Sequence, residues 1–344
     1  METHLVTLKP RGPVEAFPSS DTLFGAVCWG IRRLYGKERL LELLEGFEAH
    51  PWRFILSSAF PRLDGSVLCF PRPASSGARG SELASLAGDK KGQVQAAGNY
   101  KTFQKFPYVT AGVLALLRES LGEFGMFQRY GKDILDTGDI LHLRGELKEE
   151  EGKVPLWKKA TAQKNSIDRF TWSTTPGGET FYTQEISLSP RAGLYFFLRT
   201  DALESLLPVL RYLEDSGIGG NRSVGRGFYK IEVEVPPADL FHERGSAFMA
   251  LSRYLPEPGE VDPGREPRAW TLLPVQSKVE SAEEFDGADV QKKRVAYLAE
   301  GAVIGVAERR EWYGRLADVT PAGLQGARIY QNGLALPLFG DFGG

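Results

Sequence analysis

Residues 201–235 read DALESLLPVLRYLEDSGIGGNRSVGRGFYKIEVEV, and this stretch sets a local order of helix, glycine loop and strand. Leu203, Leu206, Leu207, Leu210 and Leu213 recur at helical spacing, and Asp201 with Glu204 predicts a capped helix start with a reciprocating Glu. Phe228 to Val235 alternates apolar and polar in the manner of a half-buried strand. Between them, residues 217–227 hold five glycines and two arginines. Glycine permits positive φ and close backbone approach, and its exposed N–H groups can donate to phosphate oxygens. Arg222 and Arg226 add planar forks that are always charged and suit phosphate or a base edge. The competing reading is a plain surface turn. The loop is neither a Walker A loop, since no Lys-Ser or Lys-Thr follows the glycines, nor a dinucleotide fingerprint, which needs strand before helix. Its position suits an extended polyanion lying across a surface.

Upstream, residues 2–9 read as a first strand, and Ser19-Ser20-Asp21 offer caps for a helix to about Tyr35. The apolar face of that helix is predicted to carry Leu23, Phe24, Val27, Cys28, Ile31 and Leu34. Residues 54–56 and 67–70 look like strands, 111–121 a short helix, and 179–189 and 193–199 strands again. The core therefore reads β-α-β, a long insertion, then β-α-β: a split βαβ, ferredoxin-like domain with its insertion at about 71–180. After Pro236-Pro237 a second unit follows, with strands expected near 248–254, 269–273, 294–298 and 328–330 and only weak helices. The expected class is α+β, two tandem ferredoxin-like (RRM-like) domains, 1–240 and a degenerate 241–344.

With 344 residues, 42% hydrophobic and 25% charged, the composition is that of an ordinary globular protein. A net charge of −2 argues against wholesale coating by nucleic acid but leaves room for a local basic groove. Cys28 and Cys69 form neither a disulfide framework nor a zinc ribbon, and no metal or other cofactor is expected. The absence of a signal peptide or apolar span makes the cytoplasm the expected compartment, with no membrane partner.

Two segments concentrate positive charge. Residues 71–110 place six basic side chains against two acids, and 153–169 five against one, a local +4 each. The first, rich in Gly, Ser and Ala, predicts a long loop that needs RNA or a neighbouring subunit to order it. In it Tyr100, Phe103, Phe106 and Tyr108 interleave with Lys101 and Lys105, the mixture of a base-stacking loop; packing onto the core is the alternative. In the second, Asn165, Ser166 and Arg169 are candidate RNA contacts, against a structural Asp168–Arg169 turn. In the glycine loop the candidates are Gly219, Gly220, Asn221, Arg222, Ser223, Gly225 and Arg226, with Gly219, Gly220 and Gly225 expected to be glycine for backbone reasons. Ser20 and Thr22 are caps at a helix end where a phosphate would gain from the dipole.

Taken in order, S-D-T-L-F-G-A at 20–26, S-S-A-F-P at 57–61, N-S-I-D-R at 165–169, G-G-N-R-S-V-G-R-G at 219–227 and Y-Q-N-G-L-A at 330–335 resemble the RAMP superfamily of CRISPR proteins. Within it they are similar to the family of the fourth Csm subunit of type III-A effector complexes, over residues 5 to about 338. That resemblance implies a non-catalytic subunit that holds the repeat-derived 5′ handle of the crRNA. It also implies docking to the large polymerase-like signalling subunit beside a backbone RAMP subunit. The alternative is a RAMP-type endoribonuclease processing precursor crRNA, whose acid–base group would come from His4, His50, His142 or His242. None of these lies in the glycine loop. A small-molecule transferase lacks any matching motif.

Overall fold

The computed structural model describes residues 1–148, 155–165, 180–242, 244–262, 264–279, 290–322, 324 and 328–343. Strand β1 (Glu2–Pro10) leads to α1 (Ser20–Tyr35), then α2 (Lys37–Glu45), β2 (Phe54–Leu56), β3 (Phe60–Leu63) and β4 (Val67–Pro71). The insertion follows as α3 (Gly80–Ala84), α4 (Lys90–Phe103), β5 (Tyr108–Thr110), α5 (Ala111–Arg118), α6 (Glu123–Arg129), β6 (Ile134–Thr137), β7 (Ile140–Leu143), β8 (Trp157–Asn165) and β9 (Thr180–Leu188). The chain then returns to the core through β10 (Ala192–Thr200), α7 (Leu203–Ser216) and β11 (Tyr229–Glu234).

The main sheet runs β11-β1-β10-β3-β4-β5-β7-β6, with β2 also paired to β10. Its first part has β1 flanked by β11 and β10, and β10 next to β2 and β3, all antiparallel. Numbering the core strands 1 to 4 in chain order gives 4-1-3-2, the split βαβ arrangement that the sequence pattern predicts. Strand 2 is broken between β2 and β3 at Ser57-Ser58-Ala59, where the Ser57 hydroxyl accepts the Phe197 N–H at 2.8 Å and so replaces a ladder bond. Helix α1 buries Leu23, Phe24, Val27, Cys28 and Ile31, while α7 buries Leu206, Val209, Leu210 and Leu213. Both faces follow the 3.6-residue period and cover the sheet.

Three expectations are corrected here. Leu34 is 44% exposed, in the last turn of α1 beyond the buried stripe that ends at Ile31. Helix α7 starts on Ala202 with no side-chain cap; the Asp201 carboxylate instead accepts the Glu2 N–H. Residues 71–110 are not a long irregular loop: they contain α3, α4 and β5, with Tyr100 and Phe103 buried.

The last hundred residues contribute β12 (Ala247–Ala250), β13 (Arg268–Ala269), β14 (Leu272–Val275), β15 (Val295–Leu298), β16 (Val303–Gly305), β17 (Ala317–Asp318), β18 (Tyr330–Gln331) and β19 (Pro337–Gly340). Four of these form the antiparallel sheet β13-β16-β12-β19. Among the described residues this part of the chain has no helix: one face of its sheet, with Phe248, Ile304 and Phe339, packs against its own Tyr254, Leu298 and Tyr313, and the other face is covered from elsewhere. Leu251, Val303, Leu334, Leu336 and Leu338 join the same hydrophobic core as β1, α1 and β10.

Candidate nucleic-acid interface

The glycine loop closes on itself before it presents anything outward. Ile218 N–H donates to the Gly227 carbonyl at 2.8 Å, and a Cβ on Gly227 would lie 2.2 Å from the Ile218 oxygen, so only glycine closes the loop this way. Between those ends, Arg222–Val224 make one 3₁₀ turn bounded by Asn221 (φ 56°) and Gly225 (φ 81°), both left-handed. Gly219 is also at positive φ, at 90°. Gly220 is not; a Cβ there would sit 3.0 Å from the Glu15 carboxylate, so its constraint is space rather than backbone twist. The turn leaves Asn221, Ser223 and Gly225 exposed and Arg222 and Arg226 half-buried.

Three elements surround this turn. Thr22, in the first turn of α1, lies beside Gly219: a Cβ on the glycine would be 3.9 Å from Thr22 Cγ2. The segment after β1 contributes Glu15, whose carboxylate accepts the Asn221 amide N–H at 2.9 Å. On the third side Arg226 is ion-paired with Glu185 of β9, and Lys164 of β8 lies 3.5 Å from the same carboxylate.

Strands β8 and β9 pair over nine residues each, and among the described residues their one β-bridge to the rest of the chain is Val14–Ile186, beside the Arg226–Glu185 ion pair and the Trp157–Asp139 hydrogen bond. Nine residues of strand extend about 30 Å. On this ribbon Lys158, Lys159 and Asn165 are exposed, and Tyr182 is 66% exposed. Lysines for phosphates beside an exposed ring for a base are the components of a single-strand platform. Sequence reasoning passed over Tyr182; its signal is an aromatic side chain followed by the polar run Thr183-Gln184-Glu185.

Other candidates fall elsewhere. Ser20 is fully buried: its N–H donates to Ser58 Oγ at 2.9 Å and its own Oγ accepts the Arg253 N–H at 3.0 Å. Lys101 and Lys105 are exposed, but they adjoin β5, five strand positions from β11. That is roughly 24 Å across the strands. Tyr108 is half-buried and packs edge-on against Trp157 at 6.1 Å between ring centroids; burial pushes its phenol well above the usual range. Of the other three rings of that segment, Tyr100 and Phe103 are in the core and Phe106 packs half-buried against it. Ser166 and Arg169 lie outside the described residues.

Three of the four histidines make hydrogen-bond contacts, and the Nε2 of the fourth, His4, is buried with no hydrogen-bond partner among the described residues. His50 Nδ1 accepts the Trp52 N–H, His142 bonds Thr137 and the Leu143 carbonyl, and His242 meets Arg118. His4 sits within β1 opposite Leu198. Burial lowers the pKa of both His50 and His242. The cysteines are buried free thiols, raised by desolvation. Among the described residues no group of three or more His, Cys, Asp or Glu could hold a metal ion, and no helix is long and apolar enough to cross a membrane.

Comparison with known proteins agrees with this architecture. No family model matches the chain. A curated protein of Thermococcus onnurineus, CRISPR system Cms protein Csm4, is 26% identical over 309 residues, covering 87% of this chain and 86% of that protein. Over most of its length the chain is similar to Csm4. A second Csm4, from Methanocaldococcus jannaschii, is 24% identical over 207 residues, 55% of this chain and 52% of that one. Among solved structures, a chain of the Csm3-Csm4 subcomplex of the type III-A CRISPR-Cas interference complex superposes with TM-score 0.65 at 18% identity, over 97% of this chain and 98% of that one. A chain of the Csm1-Csm4 cassette in complex with cA4 gives 0.56 at 18% identity over 99% of each. These likenesses establish the shared α+β fold.

Proposed function

We propose that the chain is a non-catalytic, crRNA-binding subunit of a type III-A CRISPR interference complex in the cytoplasm. It caps the repeat-derived 5′ handle and docks the large polymerase-like signalling subunit beside a backbone RAMP subunit. The single observation that carries the RNA reading is the closed glycine turn set between the start of α1 and the lysine-bearing ribbon, with Arg222 and Arg226 on it. Gly219, Gly220, Gly225 and Asn221 give a backbone that a phosphate can approach closely, the arginines and Ser223 give side-chain donors, and Thr22 stands at a helix N-terminus. Asn165 and the ribbon lysines extend the contact along the strand, joined by Ser166 and Arg169; Lys101 and Lys105 add a second patch on the insertion, and Tyr108 stands at the base of the ribbon beside Trp157. Residues 1–240 are proposed as the RNA-carrying unit and 241–344 as a second, sheet-based unit. Support for these partners comes from chains of this fold solved in a Csm1-Csm4 cassette and in a Csm3-Csm4 subcomplex.

One purification tests this. The tagged chain, isolated from its native host, is expected to bring down the large subunit, the backbone subunit and RNA whose 5′ ends carry repeat sequence. The pure chain, incubated with labelled crRNA, is expected to retain it uncut with or without Mg²⁺. Recovery of the chain alone, or discrete cleavage abolished by a His→Ala change, would overturn the assignment.

A further inference from the structure

A groove of about 790 Å³ opens along the ends of β1 and β10. One wall touches the glycine loop, since the Arg11 N–H donates to the Phe228 carbonyl at 2.9 Å and Gly12 approaches the Gly225 carbonyl. The opposite wall is the base of the ribbon at residues 187–189. The groove therefore continues the path between the two elements assigned to RNA above.

Its charge is one-sided. Lys9, Arg11, Arg62 and Arg191 line it, against one carboxylate, Glu234. The acids that pair with Lys9, Arg11 and Arg191 are Glu232, Glu214 and Asp64, none of which lines the wall. Lys9 and Arg11 are 56% and 51% exposed, so their pairing is solvent-screened and leaves most of their donors to a ligand. Arg62 is fixed by two bonds to the Glu234 carboxylate, and its Nε is buried with no hydrogen-bond partner among the described residues. Gly12, Gly65 and Gly193 leave the wall without side chains at three points. A cleft of this size accepts a nucleotide.

We propose that this groove carries the phosphodiester backbone of the single-stranded RNA next to the nucleotides held by the glycine loop. The proposal rests on the RNA reading of that loop. A fluorescein-labelled single-stranded RNA, carrying the repeat-derived handle and adjoining spacer nucleotides, is titrated with full-length protein across a salt series. Lys9→Gln with Arg11→Gln alters only exposed side chains. It is expected to weaken binding about tenfold and to flatten the log–log salt slope by about 1.4, two phosphates' worth for a single strand. Arg62→Gln, checked for an unchanged fold, is expected to act in the same direction.

Wild-type affinity and slope in both groove variants, while Arg222→Ala with Arg226→Ala binds weakly, would overturn the groove and leave the loop standing. Unchanged RNA binding with loss of a co-purifying subunit would give the groove to a protein and overturn the proposal equally. Weak binding by the groove variants with full binding by the loop variant would support the groove and remove the loop. No binding by the wild-type chain would remove both.

Discussion

At the scale of single residues, the arginines of the glycine loop are already engaged before any ligand arrives. Arg226 is held by Glu185, with Lys164 close to the same carboxylate, so a phosphate must share or displace that acid. Exchanging one charged acceptor for another gives little net energy, whereas removing the acid leaves two cations short of a partner. Glu185→Gln keeps the size and one acceptor but not the charge, and is expected to tighten RNA binding by about threefold to tenfold. Fluorescence anisotropy with the handle RNA reads this directly; equal or weaker affinity would mean that Glu185 is needed to aim Arg226. The reason for glycine was legible in the sequence at Gly219 and Gly225, which do take positive φ. At Gly227, also at positive φ (72°), the second constraint was not legible: a carbonyl nine residues back that only the closed loop brings near.

At the scale of elements, the helices of the core were readable because α1 and α7 each keep one apolar face at the 3.6-residue period, and its strands because β11 alternates and β10 is a continuous apolar run buried on both faces. Two elements of the insertion lack that signal. Strand β8 is polar on both faces of a projecting ribbon, so Lys158 to Asn165 offers no alternation to read. Helix α4 is mostly Gly, Ala and polar residues, and its anchorage comes from Tyr100 and Phe103 alone. What fixes it is a buried network: Tyr100 Oη accepts the Ala78 N–H at 2.7 Å and donates to Glu123. Arg72 bridges Glu123 and the Phe103 carbonyl. The one local sign was Asp89, whose carboxylate caps the Gly92 N–H. Because these contacts are all within the chain, amides 95–103 are expected to be protected from hydrogen exchange in the free protein, without RNA or partner. Exchange there as fast as in an unstructured peptide, slowing only on assembly, would show that the helix is made by the complex.

At the scale of the whole molecule, three of the short motifs that look unrelated along the chain meet at the start of α1. Asp21 accepts from Arg253 Nη1 at 2.9 Å and from the Gln331 amide at 2.7 Å, and Ser58 joins Ser20 to Glu300. Sequence order could list S-D-T, S-S-A-F-P and Y-Q-N-G, but not that they form a brace between residues before and after position 240. That takes contacts some 230 to 310 residues apart. The brace lies over a core that both halves share. Asp21→Ala would leave a buried amide without its acceptor and a mostly buried guanidinium with only the Glu300 carboxylate at 3.7 Å, a loss of about 3 kcal/mol. Asp21→Asn, which keeps an acceptor oxygen, is expected to lose less. Because Leu251, Leu334 and Leu336 pack in one core with β1 and α1, the loss should move one cooperative unfolding transition of the entire chain to lower denaturant, with its slope unchanged. Two separate transitions, with only the later one shifted, would show that the halves fold independently and that the brace merely joins finished surfaces. A single shifted transition would mean that the second sheet, which has no helices of its own among the described residues, depends on the first unit for cover. The glycine loop beside Thr22 would then be held in place by residues from both ends of the chain.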